Sequence, residues 1–466
     1  MRKGWAVETN TVGEVIEAVK RLPITKVLSH YGVKFEKHTN DRVYSLCPFH
    51  LDNKIGSFSV SISTNKCWCF SCNQGGNVIS AVSKIIGKGY AAAALQVAAD
   101  EGLIDEKTYK SLAESDEYVK MIDDKNAKAT DEFIVKESEG PSDYTKTLRS
   151  DVYEAFKKVC TLSSKHRKDL VEKRQLSEDR IESDYFTMPT NIDKTLDLLR
   201  KELNGKYTDD ELSKVPGFFM DQCKSGWKLS FLSYKGLGII LRDVNGKAIA
   251  IQTRLDDPDA SCRYMYMSGE MKGSAMKGGA SVGTVIDYRP ATKETKKLAI
   301  TEGRFKSEIL SRNGFNVFSV QGVNNYKGMI PQIKLLPFTP SKIDIFYDAD
   351  QIRNPNVCAA ANKLVKYLKN GLSGIEINIV LWDYNDGKGI DDLIFAGKKN
   401  ACIEFAGKDY IKVTESTFID AVYEAGFDPN TNAAKLTRED RERILSVFEV
   451  LMREKLGLNK QEEALV

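Results

Sequence analysis

The sequence predicts a multidomain chain with α+β and α/β parts. Its 466 residues are 42% hydrophobic and 29% charged, which is enough to bury substantial cores in roughly two to four domains. Four of its nine cysteines fall between residues 47 and 72, among short strand-like runs. After Lys297 strands and helices alternate, which is typical of an α/β domain with a mostly parallel sheet.

Residues 1–100 are predicted to form a small domain with a helical lead-in. Apolar residues at helical spacing indicate two short helices between residues 12 and 31, with a break near Pro23. Alternating runs at 43–46 and 58–62 predict strands, and a glycine-rich turn then leads into a helix near 78–86.

An acidic stretch, residues 101–145, is expected to be a linker, because Asp and Glu outnumber Lys by about thirteen to six there. Residues 146–295 are predicted to be a basic α+β subdomain that is helical at first and strand-rich later. Asn245-Gly246 lies between two apolar runs and predicts a β-hairpin.

Residues 296–414 are predicted to form the α/β domain, and residues 415–466 a helical tail. The α/β pattern predicts four strands with helices among them: strands at 298–301, 316–320, 342–347 and 375–382, and helices near 305–312 and 357–369.

Composition also limits the class of protein. No stretch approaches the roughly 18 to 20 uninterrupted apolar residues of a membrane span, and the first residues are too polar for a signal peptide, so we expect a cytoplasmic protein without a membrane partner. The cysteine usage suits reduced thiols or metal ligands rather than a disulfide framework. The net charge of +3 by itself gives no signature of nucleic-acid binding.

The strongest local motif is Cys47-Pro48-Phe49-His50, followed after 18 residues by Cys69-Phe70-Ser71-Cys72. Two such pairs can close a tetrahedral Cys₃His site, which suits Zn²⁺, and four protein ligands leave no open position, so the zinc is expected to be structural. Cys67 is an alternative to Cys69. The neighbouring residues Phe58, Lys66, Trp68 and Phe70 are candidates for base stacking and phosphate contact, or alternatively pack around the metal.

Acidic residues follow several predicted strands of the α/β domain. Glu302-Gly303 follows the first strand, Asp348-Ala349-Asp350 follows another, and Asp391-Asp392 comes after the strand that ends near residue 382. Because ligands bind beyond the carboxyl ends of parallel strands, these carboxylates are expected to converge and hold Mg²⁺. Lys306, one turn after Glu302, is expected to meet a substrate phosphate, or alternatively to lie on a solvated helix face.

Together these motifs resemble a known family, the DnaG-type bacterial and phage primases. The cysteine and histidine motif, Ser57-Phe58-Ser59-Val60 and Gly75-Gly76-Asn77 are similar to their zinc-binding domain. Glu302-Gly303 and Asp348-Ala349-Asp350 are similar to the Toprim fold that carries their catalysis. The chain departs from the family pattern at Phe305-Lys306 and after Asp350.

The resemblance implies a DNA primase, a nucleotidyltransferase that makes short RNA primers on single-stranded DNA from nucleoside triphosphates. It implies catalytic Mg²⁺ or Mn²⁺ on Glu302, Asp348, Asp350 and Asp391, with Asp392 as the alternative to Asp391. A replicative helicase is a further expected partner. The residues expected to bind template or nucleotide are Arg242, Arg254, Arg263, Lys272, Lys277 and Lys306.

Two other functions remain open from the sequence. The same carboxylates suit a Toprim nuclease or a topoisomerase-like enzyme, and a degenerate Toprim core suits a noncatalytic zinc protein that binds DNA during replication.

Overall fold

The computed structural model describes residues 11–114, 143–260, 262–271 and 275–458. The chain divides into two compact units. The first unit comprises Met1–Glu137, Asp350–Lys363 and Lys408–Val466, and the second comprises Ser138–Ala349 and Leu364–Gly407. The first unit is therefore assembled from three separate stretches of chain. The boundaries drawn from the sequence for five regions stay predictions.

The N-terminal part of the first unit begins with the two expected helices. The first helix starts at a capping box, in which Thr11 and Glu14 satisfy each other's backbone N–H groups, and Pro23 precedes the second helix. The helices of this part are Val12–Lys20, Ile24–His30, Val78–Ile86, Tyr90–Asp100 and Glu106–Ala113. The last of these lies within the stretch expected to be a linker.

A five-stranded antiparallel sheet follows the lead-in, with its strands in sequence order. The strands are β1 Phe35–His38, β2 Arg42–Ser45, β3 Phe58–Ser61, β4 Lys66–Cys69 and β5 Gln74–Gly76. The two predicted strands are confirmed as β2 and β3. Asn77 then caps the helix Val78–Ile86 by accepting a hydrogen bond from the Ser80 amide at 3.0 Å.

The predicted helical tail is also confirmed. Its main helices are Gly407–Glu424 and Arg438–Lys455. Within the first unit, Val422, Ala425 and Ile444 of the tail bury Leu51, which follows His50 in the sequence. The tail therefore packs against the loop that carries the first two predicted zinc ligands.

The second unit begins with the predicted helical region. Its helices are Asp143–Val159, Ser164–Lys168, Glu178–Asp184, Ile192–Glu202 and Asp209–Leu212, with a π-helical turn at Asp169–Lys173. A short strand that the sequence pattern did not predict, β6 Tyr185–Thr187, lies in this region and pairs with β9.

Two four-stranded sheets follow, in the orders β11-β10-β9-β6 and β12-β13-β7-β8. Their remaining strands are β7 Phe218–Cys223, β8 Gly226–Phe231, β9 Gly236–Arg242, β10 Ala248–Leu255, β11 Tyr264–Tyr266, β12 Gly269–Met271 and β13 Met276–Ala280. The antiparallel pair β9 and β10 confirms the predicted hairpin, and Gly246 supplies the positive φ of 76° in its turn.

A six-stranded sheet completes the second unit, in the order β14-β16-β15-β17-β18-β19. Its strands are β14 Ile286–Arg289, β15 Leu298–Glu302, β16 Asn316–Val320, β17 Lys342–Phe346, β18 Glu376–Leu381 and β19 Ile403–Ala406. The four central strands are parallel and the two edge strands are antiparallel, so the expectation of a mostly parallel α/β sheet is confirmed. The helices Arg304–Arg312, Met329–Lys334, Pro355–Gly371 and Ile390–Phe395 lie between the strands in sequence.

A buried network of charges fixes the helix Arg304–Arg312 in the second unit. Arg304 is 2% exposed and donates to Asp184 at 2.5 Å, to Asp287 at 2.6 Å and to Glu308 at 3.1 Å. Because each of these buried carboxylates is paired, the start of the helix is held firmly behind Glu302.

In the part of the chain that the structure describes, no single helix is long and apolar enough to cross a membrane. Two helices, Val78–Ile86 and Tyr90–Asp100, meet that requirement only together, across a bend of 98°.

Candidate functional site

The four predicted zinc ligands come together in the first unit. Cys47 and His50 lie in the loop after β2, Cys69 ends β4, and Cys72 lies in the turn before β5. Their ligand atoms all lie within 4.8 Å of one another. Among the described residues, this is the one group of three or more Cys, His, Asp or Glu side chains with that spacing.

The spacing of these donors fits a zinc ion. The sulfur atoms of Cys47 and Cys72 are 4.0 Å apart, and Cys69 Sγ lies 3.8 Å from His50 Nδ1. Tetrahedral zinc with bonds of about 2.3 Å to sulfur separates two thiolates by about 3.8 Å. Three thiolates and one imidazole are also the donors that zinc prefers. The predicted structural zinc site is therefore supported by both the chemistry and the spacing of its donors.

Cys67, the alternative to Cys69, lies outside the ligand group. It is 3% exposed, opposite Val60 on β3, and belongs to the hydrophobic core of the unit. Burial raises the pKa of the Cys67 thiol to about 12. The geometry selects Cys69.

Asp52 stabilises the loop after β2, which carries Cys47 and His50. Its carboxylate accepts a hydrogen bond from the Cys47 amide at 3.0 Å and another from the Ser57 hydroxyl at 2.9 Å. It also lies 3.6 Å from His50 Nε2, the ring nitrogen opposite the one that faces Cys69. A carboxylate at this position orients a zinc-bound imidazole and fixes its tautomer.

Arg441, on the tail helix Arg438–Lys455, forms hydrogen bonds to the same loop. Its guanidinium donates to the carbonyl oxygens of Cys47 at 3.1 Å and His50 at 3.4 Å, and to Asp52 Oδ1 at 3.1 Å. The side chain is only 2% exposed. Sequence reasoning missed this residue, because an isolated arginine in a charged helix carries no signal for a partner that is nearly 400 positions away.

The zinc module, which we define as the five-stranded sheet β1–β5 with the four zinc ligands, carries exposed aromatic side chains. Trp68 is 40% and Phe70 67% exposed, and Lys66 lies beside them on β4. Phe58 is completely buried and packs edge-on against Phe49, with 5.5 Å between the ring centroids. The packing alternative therefore holds for Phe58, while Lys66, Trp68 and Phe70 remain available to a ligand.

Three of the predicted catalytic carboxylates lie at one edge of the six-stranded sheet. Glu302 ends β15, Asp348 follows β17 after one residue, and Asp391 lies in the first turn of the helix Ile390–Phe395, which follows β18. Because β15, β17 and β18 are neighbouring parallel strands, their carboxyl ends meet. Asp350 belongs to the first unit, so its predicted role stays a prediction.

Basic side chains lie among these carboxylates. The Lys306 ammonium group contacts Asp348, Arg174 lies 3.2 Å from Asp391, and Lys388 lies 3.7 Å from Asp348. Burial acts to lower the pKa of Lys306, but attraction to Asp348 and Glu302 is stronger and leaves it raised. Burial raises the pKa of Asp391.

The donor oxygens suit Mg²⁺ or Mn²⁺, and Glu302, Asp348 and Asp391 are the residues that would hold such an ion. In the described part of the chain, however, these three carboxylates do not form a group within 4.8 Å. Asp392, the alternative to Asp391, accepts a hydrogen bond from the Gly389 amide at 3.0 Å and so caps its helix.

The predicted basic residues have different surroundings. Arg242 forms ion pairs with Asp184 and Glu154 and is 14% exposed, so its charge is used inside the fold rather than at a surface. Arg254 pairs with Asp169 at 2.9 Å. Arg263 is exposed, Lys277 lies 4.3 Å from the centre of the Trp227 ring, and Lys272 lies outside the described residues.

Two segments of the chain match known protein families. Residues 11–112 match the CHC2 zinc finger family, and residues 291–401 match a family described as a domain of unknown function, DUF3854.

Curated relatives match over short segments of the chain. The chain is 40% identical over 75 residues to the DNA primase of Mycoplasma genitalium, a segment that is 16% of this chain and 12% of that protein. It is 34% identical over 107 residues to the DNA primase of Rickettsia bellii, which is 22% of this chain and 17% of that protein. It is 42% identical over 72 residues to the DNA primase of Staphylococcus epidermidis, which is 15% of this chain and 12% of that protein. The chain thus matches less than a fifth of the length of these relatives.

Among solved structures, the zinc-binding and RNA polymerase domains of the Aquifex aeolicus primase align with a TM-score of 0.41 and 20% identity. The alignment covers 97% of this chain and 100% of that chain. The resemblance of the zinc motif to that of the DnaG-type primases is confirmed by the family match and by the primase relatives.

Proposed function

We propose that the chain is a DNA primase that synthesises short RNA primers on single-stranded DNA. The observation that carries the proposal is the CHC2 zinc finger match at residues 11–112, and segments of this chain are 34% to 42% identical to bacterial DNA primases. The same chain holds carboxylates at the ends of neighbouring parallel strands, as a metal-dependent nucleotidyltransferase requires. Under this proposal residues 296–414 are the Toprim catalytic domain.

The zinc module is proposed to hold the template. Trp68 and Phe70 present flat apolar surfaces on which successive bases can stack, and Lys66 lies beside them to pair with phosphate. Zinc keeps the knuckles folded and takes no part in the chemistry, since all four of its positions are filled by the protein. Arg263 and Lys277 are the exposed basic residues proposed to follow the strand backbone.

The carboxylate site is proposed to join two ribonucleotides. A divalent ion bound there would neutralise the triphosphate and favour attack of the 3′-hydroxyl group of one nucleotide on the α-phosphorus of the other, with pyrophosphate as the leaving group. Glu302, Asp348 and Asp391 are the proposed ligands, with Asp350 as a further one. Arg174 and Lys388 lie beside the carboxylates and are suited to bind the phosphates of an incoming nucleotide. A replicative helicase stays a proposed partner.

A priming assay tests the proposal against its alternatives. The zinc-loaded chain is incubated with single-stranded DNA, Mg²⁺ and labelled ribonucleotides, and the assay is repeated with Asp348→Ala. Short labelled products that disappear in the variant support priming. Cleaved template would support the nuclease alternative, and binding without either product would support a noncatalytic DNA-binding protein.

The matched control is Glu404→Ala. Glu404 lies on β19 of the same sheet, is 54% exposed and pairs with Lys342 rather than with the carboxylate site. Primer synthesis is expected to be unchanged in this variant. An equal loss of product in both variants would contradict the assignment of Asp348.

A further inference from the structure

Lys306 is held in a fixed position among the carboxylates of the second unit. Its side chain is 19% exposed and Asp348 is 13% exposed, so their contact is largely shielded from water. A shielded ammonium group of this kind interacts with neighbouring charges far more strongly than one on the surface.

The backbone at Gly389 packs against Lys306 and Asp391 together. A Cβ atom at position 389 would lie 2.9 Å from Lys306 Cε and 2.3 Å from Asp391 Oδ1. A larger residue at this position would require the ends of both side chains to move. The aliphatic part of Lys306 therefore packs against Gly389, and its ammonium group contacts Asp348 near the helix turn that carries Asp391.

A second basic group approaches from another element. Arg174 pairs with Asp391, and its guanidinium stacks 4.5 Å from the centre of the Phe305 ring, next to Lys306 in sequence. Asp348 and Asp391, two of the three carboxylates at this edge, are thus paired with positive charges that belong to the protein.

We propose that Lys306 is a built-in cation of the carboxylate site, so that the site takes one divalent metal ion instead of two. The inference rests on the proposed function because it concerns the same carboxylate site, but its test does not require primase activity. The ammonium group occupies the space and neutralises the charge that a second ion would need. Lys306 acts on the metal through Asp348 and is a positioning residue.

Metal binding tests this without any catalytic assay. The zinc-loaded full chain is titrated with Mn²⁺, and free Mn²⁺ is measured by electron paramagnetic resonance. We expect one Mn²⁺ per wild-type chain and none in Asp348→Asn. In Lys306→Met, which keeps the length of the side chain and removes its charge, we expect a second bound Mn²⁺ or an affinity at least about tenfold higher.

Two variants isolate the charge at this position. Lys306→Arg keeps the positive charge and should bind one Mn²⁺, like the wild type. Lys342→Met removes a lysine that bridges Asp344 and Glu404 elsewhere on the sheet, and should also bind one. Thermal unfolding of each variant verifies that it is folded, and Lys306→Gln replaces Lys306→Met if the latter fails that check.

The proposal is overturned if the wild type binds two Mn²⁺ or none, or if the neutral variant binds like the wild type. A chain that binds one Mn²⁺ and responds to Lys306→Met, but makes no primer, would refute the proposed function and leave this inference standing. A chain that makes primers and binds two Mn²⁺ would support the proposed function and refute this inference.

Discussion

Arg441 Nη1 lies 3.1 Å from Asp52 Oδ1, and Asp52 in turn lies 3.6 Å from the imidazole of His50. The C-terminal tail thus reaches the metal ligands through one buried ion pair. Since His50 is one of the four predicted zinc ligands, the tail helix helps to position the ligands of the zinc module.

Replacing Arg441 is expected to weaken both the fold and the metal site. Arg441→Met removes a guanidinium donor from the half-buried carboxylate of Asp52 and from the carbonyl oxygens of Cys47 and His50, which should lower the free energy of unfolding by about 3–5 kcal/mol. Zinc should also be released faster to a chromogenic chelator. Arg443→Met is the control, because Arg443 is 58% exposed and 3.7 Å from its partner Asp440. Identical zinc release in both variants would contradict the role of Arg441.

The choice between Cys69 and Cys67 can be tested by zinc content. Cys69→Ser removes a ligand and should reduce zinc from one ion per chain to well below one after dialysis against a chelator. Cys67→Ser should retain the full ion and lose about 1–3 kcal/mol of stability, because it buries a hydroxyl group in an apolar core. Elemental analysis of both variants measures the difference. Retention of zinc in Cys69→Ser would transfer the assignment to Cys67.

The exposed aromatic residues of the zinc module should contribute to binding of single-stranded DNA. Trp68→Ala and Phe70→Ala are each expected to cost about 1–3 kcal/mol of binding free energy for an oligonucleotide, since each removes a surface for base stacking. Fluorescence anisotropy of a labelled oligonucleotide measures the affinity. Tyr423→Ala serves as the control, because Tyr423 is an equally exposed aromatic residue, at 63%, on the tail helix Gly407–Glu424. An unchanged affinity in both Trp68→Ala and Phe70→Ala would leave these residues without a role in DNA binding.

Glu211 should make the stability of the second unit depend on pH. A hydrogen bond from the Tyr144 hydroxyl, followed by those from Thr208, lowers the pKa of Glu211 from 4.5 to about 2. Because folding favours the ionised form, the stabilisation is fully present above pH 4.5 and is lost as the pH falls towards 2. Urea unfolding between pH 6 and about pH 2.5 should show the wild type losing its advantage over Glu211→Gln. A difference between the two proteins that stays constant over this range would contradict the expected coupling.

Local chemistry explains what the sequence could predict. The Asn245-Gly246 turn and the ligand pairs Cys47–His50 and Cys69–Cys72 each depend on residues within a few positions, and both features are present in the structure. The parallel sheet was also predictable, because alternating strands and helices leave few other arrangements.

Contacts over long distances in the chain were not predictable. Arg441 meets Cys47 across 394 positions, and Arg174 meets Asp391 across 217. Each is a single charged residue in a chain with 29% charged residues, so nothing in its local pattern distinguishes it from a solvated side chain. Arg242 depends on the same kind of distant contact: the template contact predicted for it stays a prediction, and the structure pairs its guanidinium with Asp184.

The separation of 394 positions between Cys47 and Arg441 also determines how long the nascent chain lacks this contact. At about 5–20 residues per second, a ribosome produces the arginine about 20–80 s after the cysteine. During that interval the four zinc ligands and Asp52 must hold the loop without their partner, and Leu51 has no tail to cover it. Zinc bound early by the nascent chain would stabilise the loop until Arg441 is synthesised, so the supply of the metal would affect how fast the loop folds as well as how stable it is.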